Sequence, residues 1–216
     1  MSKEYFRDVA GKWDEMRKSM YSEAVREKAI ESAKLEQGQR AVDVGAGTGF
    51  VTEGLLERGV ATVAVDPSGP MLEQLRKKFT NSSLLNVKIG TGEKLPLLAN
   101  RFDAAFANMS LHHAESPPNM IVEMVRILKP GGRIAITDLD AHGHEWMKEA
   151  HHDRWMGFAR KDVQAWCNAA GLEQVQVGSI GSECCTTASP DGKEVKIGIF
   201  LATARKPTSP SLRVMS

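Results

Sequence analysis

The segment of this sequence with the clearest chemical use is a glycine-rich turn after a short apolar run. It reads AVDVGAGTG over residues 41–49, with glycines at Gly45, Gly47 and Gly49. Glycine lets the backbone approach a ligand closely, and the helix expected from about Val51 presents unpaired N–H groups at its start. In an open α/β sheet, ligands bind at such a strand-to-helix turn. The segment therefore predicts a ligand site.

Two carboxylates accompany this turn. Asp43 stands two residues before the first glycine, and Asp66 ends the next apolar run. A carboxylate in the second position can accept hydrogen bonds from both hydroxyls of a ribose. The nicotinamide-dinucleotide fingerprint places its third glycine three residues after the second, whereas Gly47 and Gly49 are two apart. Because several cofactors share the ribose contact, Asp66 alone does not identify the ligand.

All six histidines fall within about 40 residues of one another, at His112, His113, His142, His144, His151 and His152. The first pair follows the predicted fourth strand and the second pair follows the fifth. Carboxyl ends of parallel strands meet at one edge of a sheet, so both pairs are expected beside the ligand site. His113 is the first candidate for a substrate-side or proton-accepting role, followed by Asp138, Asp140 and His142. No pair has a convincing ligand spacing with a supporting carboxylate, and no metal site is predicted.

The chain has three cysteines, which cannot all pair, and this favours a reducing, cytoplasmic setting. Cys184 and Cys185 fall in the predicted loop between the last two strands. Neighbouring strand residues point to opposite faces, so both thiols would reach one ligand only if the chain turned there. Cys167 lies on the apolar face of a predicted helix and is interpreted as a core residue.

Short apolar runs that alternate with helical patterns predict the elements that position these residues. The runs cover 41–44, 61–65, 87–89, 104–107 and 134–136, with two more near 175–177 and 195–203. Alternation of this kind is typical of βαβ units, and it predicts an α/β fold with a Rossmann-like, doubly wound, mostly parallel sheet and helices on both faces. The first 35 or so residues are helical in pattern and must pack on the sheet or over its carboxyl edge.

Composition sets limits on partners. The 216 residues suit one domain, and 28 basic against 27 acidic residues leave a formal charge of +1. That charge offers no general attraction to nucleic acid or anionic lipid. No stretch reaches the ~18 apolar residues of a membrane span, and the charged start lacks the apolar core of a signal peptide. We expect a cytoplasmic protein, a monomer or a homodimer, with a small-molecule substrate and no nucleic-acid or membrane partner.

The combined motifs resemble the class I S-adenosylmethionine-dependent methyltransferases, within the small-molecule branch of ubiquinone and menaquinone biosynthesis enzymes (methyltransferase type 11). The resemblance extends from about Tyr5 to Lys206. It is carried by DVGAGTG (43–49), VAVDPSGPML (63–72), GTGEKLP (90–96), RFDAAFANMSLHH (101–113) and RILKPGGRIAITD (126–138). It implies seven strands with the last antiparallel. There is also some likeness to arsenite-type and metalloregulator-associated methyltransferases.

The cofactor implied by this resemblance is S-adenosyl-L-methionine, with S-adenosyl-L-homocysteine as product. The residues implied to bind it are Asp43, Gly45, Ala46, Gly47, Gly49, Asp66, Pro67, Met71, Thr91, Gly92, Glu93, Asn108 and Met109. By the resemblance Asp66 would hold the ribose, Met71 would flank the adenine and Asn108 would meet the methionyl amino group. Thr91 stands where the family usually has an aspartate for the adenine amino group.

The resemblance also divides the chain. It implies one methyltransferase domain over 1–205, with an N-terminal helical lid (1–36), a cofactor-binding core (37–140) and substrate-side helices with the final two strands (141–205), followed by a flexible tail (206–216). The catalytic candidates are His113, Asp138 and His142. The substrate-side candidates are Tyr5, Trp13, His112, His144, Cys184 and Cys185.

The implied reaction is an in-line displacement at a sulfonium methyl group. It depends on alignment of nucleophile, methyl carbon and sulfur and on exclusion of water, and it needs a base only for some acceptors. Two alternatives stay open: a thiol or metalloid (arsenite-like) methyltransferase, and a cofactor-binding protein without turnover. A nucleic-acid methyltransferase is disfavoured because strand four is followed by Asn108-Met109-Ser110-Leu111 rather than by an Asn/Asp-Pro-Pro-Tyr/Phe motif.

Overall fold

The computed structural model describes residues 2–186 and 192–208. Seven strands within these residues form a single sheet. The strands are β1 (Arg40–Val44), β2 (Ala61–Asp66), β3 (Leu85–Ile89), β4 (Phe102–Asn108), β5 (Leu128–Leu139), β6 (Glu173–Thr186) and β7 (Val195–Arg205). The helices are α1 (Ser2–Val9), α2 (Trp13–Met20), α3 (Ala24–Ala33), α4 (Phe50–Glu57), α5 (Gly69–Lys78), α6 (Pro117–Ile127), α7 (Met147–Ala150) and α8 (Arg160–Ala169). A 3₁₀ turn covers Leu111–His113.

The strand order is β3-β2-β1-β4-β5-β7-β6. Strands β1 to β5 are parallel, and β7 is antiparallel to both of its neighbours. This confirms the predicted doubly wound sheet with an antiparallel last strand. Because β7 is inserted between β5 and β6, β6 runs in the same direction as β5. The strand order reverses between β1 and β4, where an open α/β sheet forms its ligand crevice.

Helices cover both faces of the sheet, as the continuous apolar run of β1 requires. Val42 and Val44 belong to the core cluster under α6 and α8, which includes Met124. Ala41 points to the other face and packs in the cluster of α3 and α4, with Ile30. The alternation along β1 therefore anchors the glycine turn between two packed layers.

Two elements differ from the prediction. Strand β5 begins at Leu128, directly after α6, so the Lys-Pro-Gly-Gly segment lies within the strand, where the pairing with β4 is irregular. Strand β6 extends to Thr186, so Cys184 and Cys185 pair with β7 rather than lie in a loop. Glycines and polar residues interrupt the apolar pattern of β6, and the ladder shifts register between Ser179 and Glu183. This irregularity hid the second half of the strand, beyond the run near 175–177, from the sequence pattern.

The end of the described chain is held by Lys206, at the start of the predicted tail. Its ammonium group donates hydrogen bonds to the carbonyl oxygens of Val125 (2.8 Å) and Leu128 (2.7 Å). The rest of the predicted tail, 209–216, and residues 187–191 of the predicted loop lie outside the described residues. None of the helices in the described ranges has the length and hydropathy that a bilayer crossing requires.

Candidate functional site

A cavity of about 300 Å³ opens at the carboxyl ends of β1, β2 and β4, and we call it the larger cavity. The predicted cofactor residues that line it are Asp43, Gly45, Ala46, Gly47, Asp66, Pro67, Met71, Thr91, Gly92, Glu93, Asn108 and Met109. Its volume falls at the lower end of the range of small-molecule sites. The chain therefore collects these residues from four separate segments around one space.

The glycine turn has a backbone that other residues would strain. Gly45 has φ +72°, and a Cβ added there would lie 2.4 Å from the Cβ of Ser110. Gly49 does not line the larger cavity. It has φ +97°, and a Cβ there would lie 2.9 Å from the Phe79 ring. The third glycine is therefore needed for packing against α5 rather than for ligand contact, which corrects its predicted role.

Asp66 holds the turn through two backbone hydrogen bonds. Its carboxylate accepts from the N–H of Gly47 (2.9 Å) and from the N–H of Ser68 (2.8 Å). Burial raises the pKa of Asp66 to about 6. The free lone pairs of both oxygens remain available to further donors, because a carboxylate can accept about four hydrogen bonds.

Asp43 is also buried but is engaged with α4. Its Oδ2 accepts hydrogen bonds from the N–H (2.9 Å) and the hydroxyl (2.7 Å) of Thr52. Burial raises the pKa of Asp43 to about 6, and the charge of Asp66 adds to the rise. The carboxylate thus joins the start of α4 to β1, while the residue still forms part of the cavity wall.

The N-terminal helices close over the larger cavity. The side chain of Trp13 lines it, and the next residue, Asp14, accepts a hydrogen bond from the Thr48 hydroxyl (2.6 Å). Lys78 of α5 forms an ion pair with Asp14 and donates to the Thr48 carbonyl (3.0 Å). We call these three polar residues the α2 clasp, because they tie α2 to the glycine turn.

A second, smaller cavity of about 50 Å³ adjoins the first. The two share a wall of five residues: Phe6, Trp13, Tyr21, Met109 and His113. The remaining residues around the smaller cavity are Tyr5, Met20, His112, Leu139, Met147, His151, Asp153 and Cys184. The predicted substrate-side residues Tyr5, Trp13, His112 and Cys184 are therefore grouped in one place.

His112 is fixed by a buried carboxylate. Its Nδ1 lies 2.7 Å from Oδ1 of Asp138. Oδ2 of Asp138 accepts from the backbone N–H groups of Leu111 (2.9 Å) and His112 (3.3 Å). Burial alone would lower the pKa of His112, but Asp138 and Asp153 raise it to about 9. Asp138 is fully buried and lines neither cavity, so its position supports holding the 3₁₀ turn rather than the predicted catalytic role.

His113 lies between the two cavities. Its ring makes an edge contact with Phe6, with centroids 5.0 Å apart, and its Nδ1 has no hydrogen-bond partner among the described residues. Burial lowers the pKa of His113 well below its usual value, and the neighbouring His112 lowers it further. A neutral imidazole is therefore expected at this position near pH 7.

Three other predicted site residues, His142, His144 and Cys185, line neither cavity. The rings of His142 and His144 stack on each other with centroids 5.4 Å apart, and the backbone of His142 pairs with Met156. Burial lowers the pKa of His142 to about 4. Cys185 alternates with Cys184 along β6, and only Cys184 faces the cavity, as expected for neighbouring strand residues.

Asp153 is the main residue of this region that sequence reasoning missed. The chain returns to the 3₁₀ turn after α7, and the N–H groups of Arg154 and Trp155 both donate to the carbonyl of His112 (3.1 Å each). Gly157 allows this return. It has φ +65°, and a Cβ there would lie 2.2 Å from the backbone carbonyl oxygen of Asp140. The sequence signal that could have indicated this return was Gly157, which ends a segment rich in histidine and aromatic residues.

Comparison with known proteins gives consistent matches. Residues 42–136 match the family described as "Methyltransferase domain". The chain is 32% identical over 165 residues to 2-methyl-6-phytyl-1,4-hydroquinone methyltransferase 1, chloroplastic, of Oryza sativa subsp. japonica, covering 74% of this chain and 49% of that protein. The chain thus spans about half the length of this curated relative.

Two solved structures share the fold. A chain from the complex of the Haloferax volcanii Trm112 methyltransferase activator with its methyltransferase has a TM-score of 0.77 and 19% identity, covering 94% of this chain and 97% of that one. Phosphoethanolamine N-methyltransferase 2 of Haemonchus contortus, in complex with phosphomonomethylethanolamine and S-adenosylhomocysteine, has a TM-score of 0.67 and 17% identity, covering 84% and 52%.

Proposed function

We propose that this chain, which carries the methyltransferase domain and the fold of the class I S-adenosylmethionine-dependent methyltransferases, transfers the methyl group of S-adenosylmethionine to a small-molecule acceptor. The observation that carries the proposal is the pair of cavities with a common wall. The donor occupies the larger cavity, and the reacting group of the acceptor enters the smaller one. The methyl group then has to cross only the boundary between them.

Donor binding follows from the walls of the larger cavity. The carboxylate of Asp66 takes the ribose hydroxyls while it keeps its bonds to Gly47 and Ser68. The glycine turn allows the methionine portion to approach the backbone at Gly45. Met71 and Thr91, which line the same cavity, take the adenine. These assignments use residues from β1, β2 and the segments that follow β2 and β3.

Catalysis in this arrangement depends on alignment and on exclusion of water. Positive charge leaves sulfur during the transfer, so the reaction needs no group that stabilises a developing anion. Phe6, Trp13 and Tyr21 form an aromatic boundary that keeps water from the reacting atoms. The neutral His113 imidazole can accept a hydrogen bond or a proton from the acceptor, since its Nδ1 has no other partner among the described residues.

The experiment that tests this function is an acceptor screen that measures S-adenosylhomocysteine formation. Quinols, thiols, trivalent arsenic and amines cover the acceptor classes that the sequence leaves open. We expect turnover with at least one organic acceptor, and the hydroquinone methyltransferase relative makes quinols the first choice. Calorimetric binding of S-adenosylhomocysteine without turnover of any acceptor would favour a binding protein instead. Absence of binding would overturn the assignment of the larger cavity.

The cysteines give a prediction on the acceptor atom. Burial raises the pKa of Cys184 to about 12, so its side chain is a neutral thiol at pH 7, and Cys185 faces away. We expect the double variant Cys184→Ser/Cys185→Ser to methylate an organic acceptor within about twofold of the unmodified rate, because a Cys→Ser change conserves side-chain size. Loss of activity with unchanged S-adenosylhomocysteine affinity would instead indicate that the thiols hold the substrate.

Cofactor affinity is expected to depend on pH through Asp66. A carboxylate with a pKa of about 6 is charged above that pH and accepts ribose hydrogen bonds, and it is neutral below it. The affinity for S-adenosylhomocysteine should therefore fall as the pH is lowered through 6, and it should level off near the affinity of a chain with a neutral side chain at this position. Asp43, with a similar pKa, titrates in the same range. Calorimetry across this range with the Asp66→Asn variant separates the two, since the variant should lose the part of the dependence that belongs to Asp66.

A further inference from the structure

A cluster of metal-ligating side chains lies around the smaller cavity, apart from the residues assigned to the cofactor. His112, His113 and Asp153 each offer one ligand atom, and these atoms lie within 4.8 Å of one another. All three residues line the smaller cavity. Two of them come from the 3₁₀ turn after β4, and the third comes from the segment that returns after α7. The fold thus brings together ligands about 40 residues apart in sequence.

The distances in this cluster fit an ion better than they fit hydrogen bonds. Oδ1 of Asp153 lies 3.6 Å from Nε2 of His112 and 3.9 Å from Nε2 of His113. Both distances exceed the 2.7–3.2 Å of a hydrogen bond from nitrogen to oxygen. Two atoms bound at about 2.1 Å to one tetrahedral ion lie roughly 3.4 Å apart. A small contraction therefore brings the Asp153 oxygen to this spacing from each histidine nitrogen, and all three ligand atoms lie within 4.8 Å of one another.

Within the described part of the chain, the buried carboxylate of Asp153 has only distant ion-pair contacts with His112 and His113, and one of its oxygens has no hydrogen-bond partner. Its side chain is 2% exposed, and its Oδ2 has no hydrogen-bond partner among the described residues. A buried carboxylate without close hydrogen bonds is costly unless a cation or a proton compensates it. Asp138, also buried, is a second acid on the other side of His112. A divalent cation that replaces the His112 proton balances the charge of these two carboxylates.

His112 also has the support typical of a metal ligand. Metal-bound histidines usually donate their second ring N–H to a carboxylate, which fixes the ring orientation and the tautomer. Nδ1 of His112 makes this contact with Asp138 at 2.7 Å, so its Nε2 is directed toward Asp153 and the cavity. Asp138 lies entirely beneath the 3₁₀ turn and is not itself a candidate ligand.

We propose that His112, His113 and Asp153 bind a divalent transition-metal ion, with Zn²⁺ as the reference ion, whose open coordination positions face the smaller cavity. Two imidazoles and one carboxylate are a donor set that suits zinc and ferrous iron, and three protein ligands leave room for a further one. Metal binding by these three residues does not depend on the proposed function. Only the identity of the fourth ligand, which we take to be the methyl acceptor, rests on it. The acceptor class is then a compound with a hydroxyl group that can bind the ion.

Methyl transfer to such a hydroxyl group breaks its O–H bond and the sulfur–carbon bond of the donor, and it forms one bond from oxygen to carbon. The hydroxyl proton leaves to solvent before the aromatic boundary closes, since coordination to a divalent ion lowers the pKa of a bound oxygen. His113 does not accept it, because its Nε2 lone pair is on the ion and its Nδ1 then carries the ring proton. A lone pair of that oxygen forms the new bond to the methyl carbon. The electrons of the sulfur–carbon bond stay on sulfur, and neutral S-adenosylhomocysteine results. No oxidant or reductant is required.

Zinc binding by the full chain tests the proposal without reference to activity. The protein is stripped with a chelator and dialysed against buffered Zn²⁺, and bound metal is measured by elemental analysis. We expect one ion per chain, and the cobalt-substituted protein should show the absorption of a four-coordinate site. Asp153→Asn and His113→Gln should each weaken Zn²⁺ binding by at least tenfold. Affinity for S-adenosylhomocysteine should persist in Asp153→Asn, which shows that the variant is folded.

The matched control is the double variant His142→Gln/His144→Gln, which removes a neighbouring histidine pair that lines neither cavity. Its Zn²⁺ affinity should equal that of the unmodified chain. The proposal is overturned if no ion binds, if Asp153→Asn binds Zn²⁺ as tightly as the unmodified chain, or if the control variant alone loses the ion. If the proposed function is wrong, the unmodified chain does not bind S-adenosylhomocysteine. That result is separate from every Zn²⁺-binding outcome.

Discussion

Replacement of Asp138 by alanine is expected to lower the free energy of unfolding by about 3–5 kcal/mol, the range found when one partner of a buried ion pair is removed. The carboxylate is fully buried and accepts hydrogen bonds from Leu111, His112 and its neighbour Leu139. Alanine leaves the His112 ring and two backbone N–H groups of the 3₁₀ turn without their acceptor. Urea unfolding followed by circular dichroism in the presence of a chelator measures the loss without any contribution from a bound ion.

The matched control for this prediction is Asp140→Ala, two residues further along the chain. Asp140 forms a two-point ion pair with Arg160 at 2.7 and 2.6 Å, but both side chains are partly exposed. Exposed pairs of this kind contribute at most about 1 kcal/mol. An equal loss of stability in the two variants would contradict the structural role assigned to Asp138.

Replacement of Asp66 by alanine is expected to weaken S-adenosylhomocysteine binding by about 1–3 kcal/mol, or roughly 5- to 150-fold in Kd. The variant removes the charged acceptor of the ribose hydroxyls and the two backbone hydrogen bonds that hold the turn. Asp66→Asn keeps the shape and one oxygen, so its loss should be smaller. Calorimetric titration near pH 7.5 gives the affinities.

Asp103 provides the control at the opposite end of the sheet. Its carboxylate accepts hydrogen bonds from the N–H of Arg40 (2.9 Å) and from Lys129 (2.7 Å), and it lines neither cavity. Asp103→Asn should leave the affinity for S-adenosylhomocysteine unchanged. Unchanged affinity in Asp66→Ala would contradict the ribose assignment and, with it, the identity of the ligand in the larger cavity.

The parts of the fold that repeat a local pattern could be predicted from sequence. The apolar runs of β1 and β2 and the glycine turn are contiguous signals, and the positions of Asp43 and Asp66 follow from where those strands end. Of the residues that the resemblance implied for the cofactor, all but Gly49 line the larger cavity. That glycine follows the same pattern as its neighbours, but it is needed for the approach of Phe79, a contact that no local motif records.

The smaller cavity could be predicted only in part, because it depends on side-chain direction and on long-range returns of the chain. Asp138 lies near the end of β5 and His142 follows that strand, as expected. The side chain of Asp138, however, points beneath the 3₁₀ turn, and His142 lines neither cavity. Asp153 reaches His112 because the N–H groups of the next two residues, Arg154 and Trp155, donate to the His112 carbonyl, which joins segments about 40 residues apart. A sequence pattern specifies the edge of a sheet at which a residue lies, but not the neighbour that its side chain meets.

The α2 clasp has a consequence for how the two ligands exchange. Phe6 and Trp13, from α1 and the start of α2, form part of the walls of both cavities, and Asp14 is tied to Thr48 and Lys78 on the cofactor side. Lifting these helices exposes both compartments together. Under the proposed function, we therefore expect one gate to control the departure of spent donor and of methylated product alike, and its opening rate to set an upper limit on the turnover number.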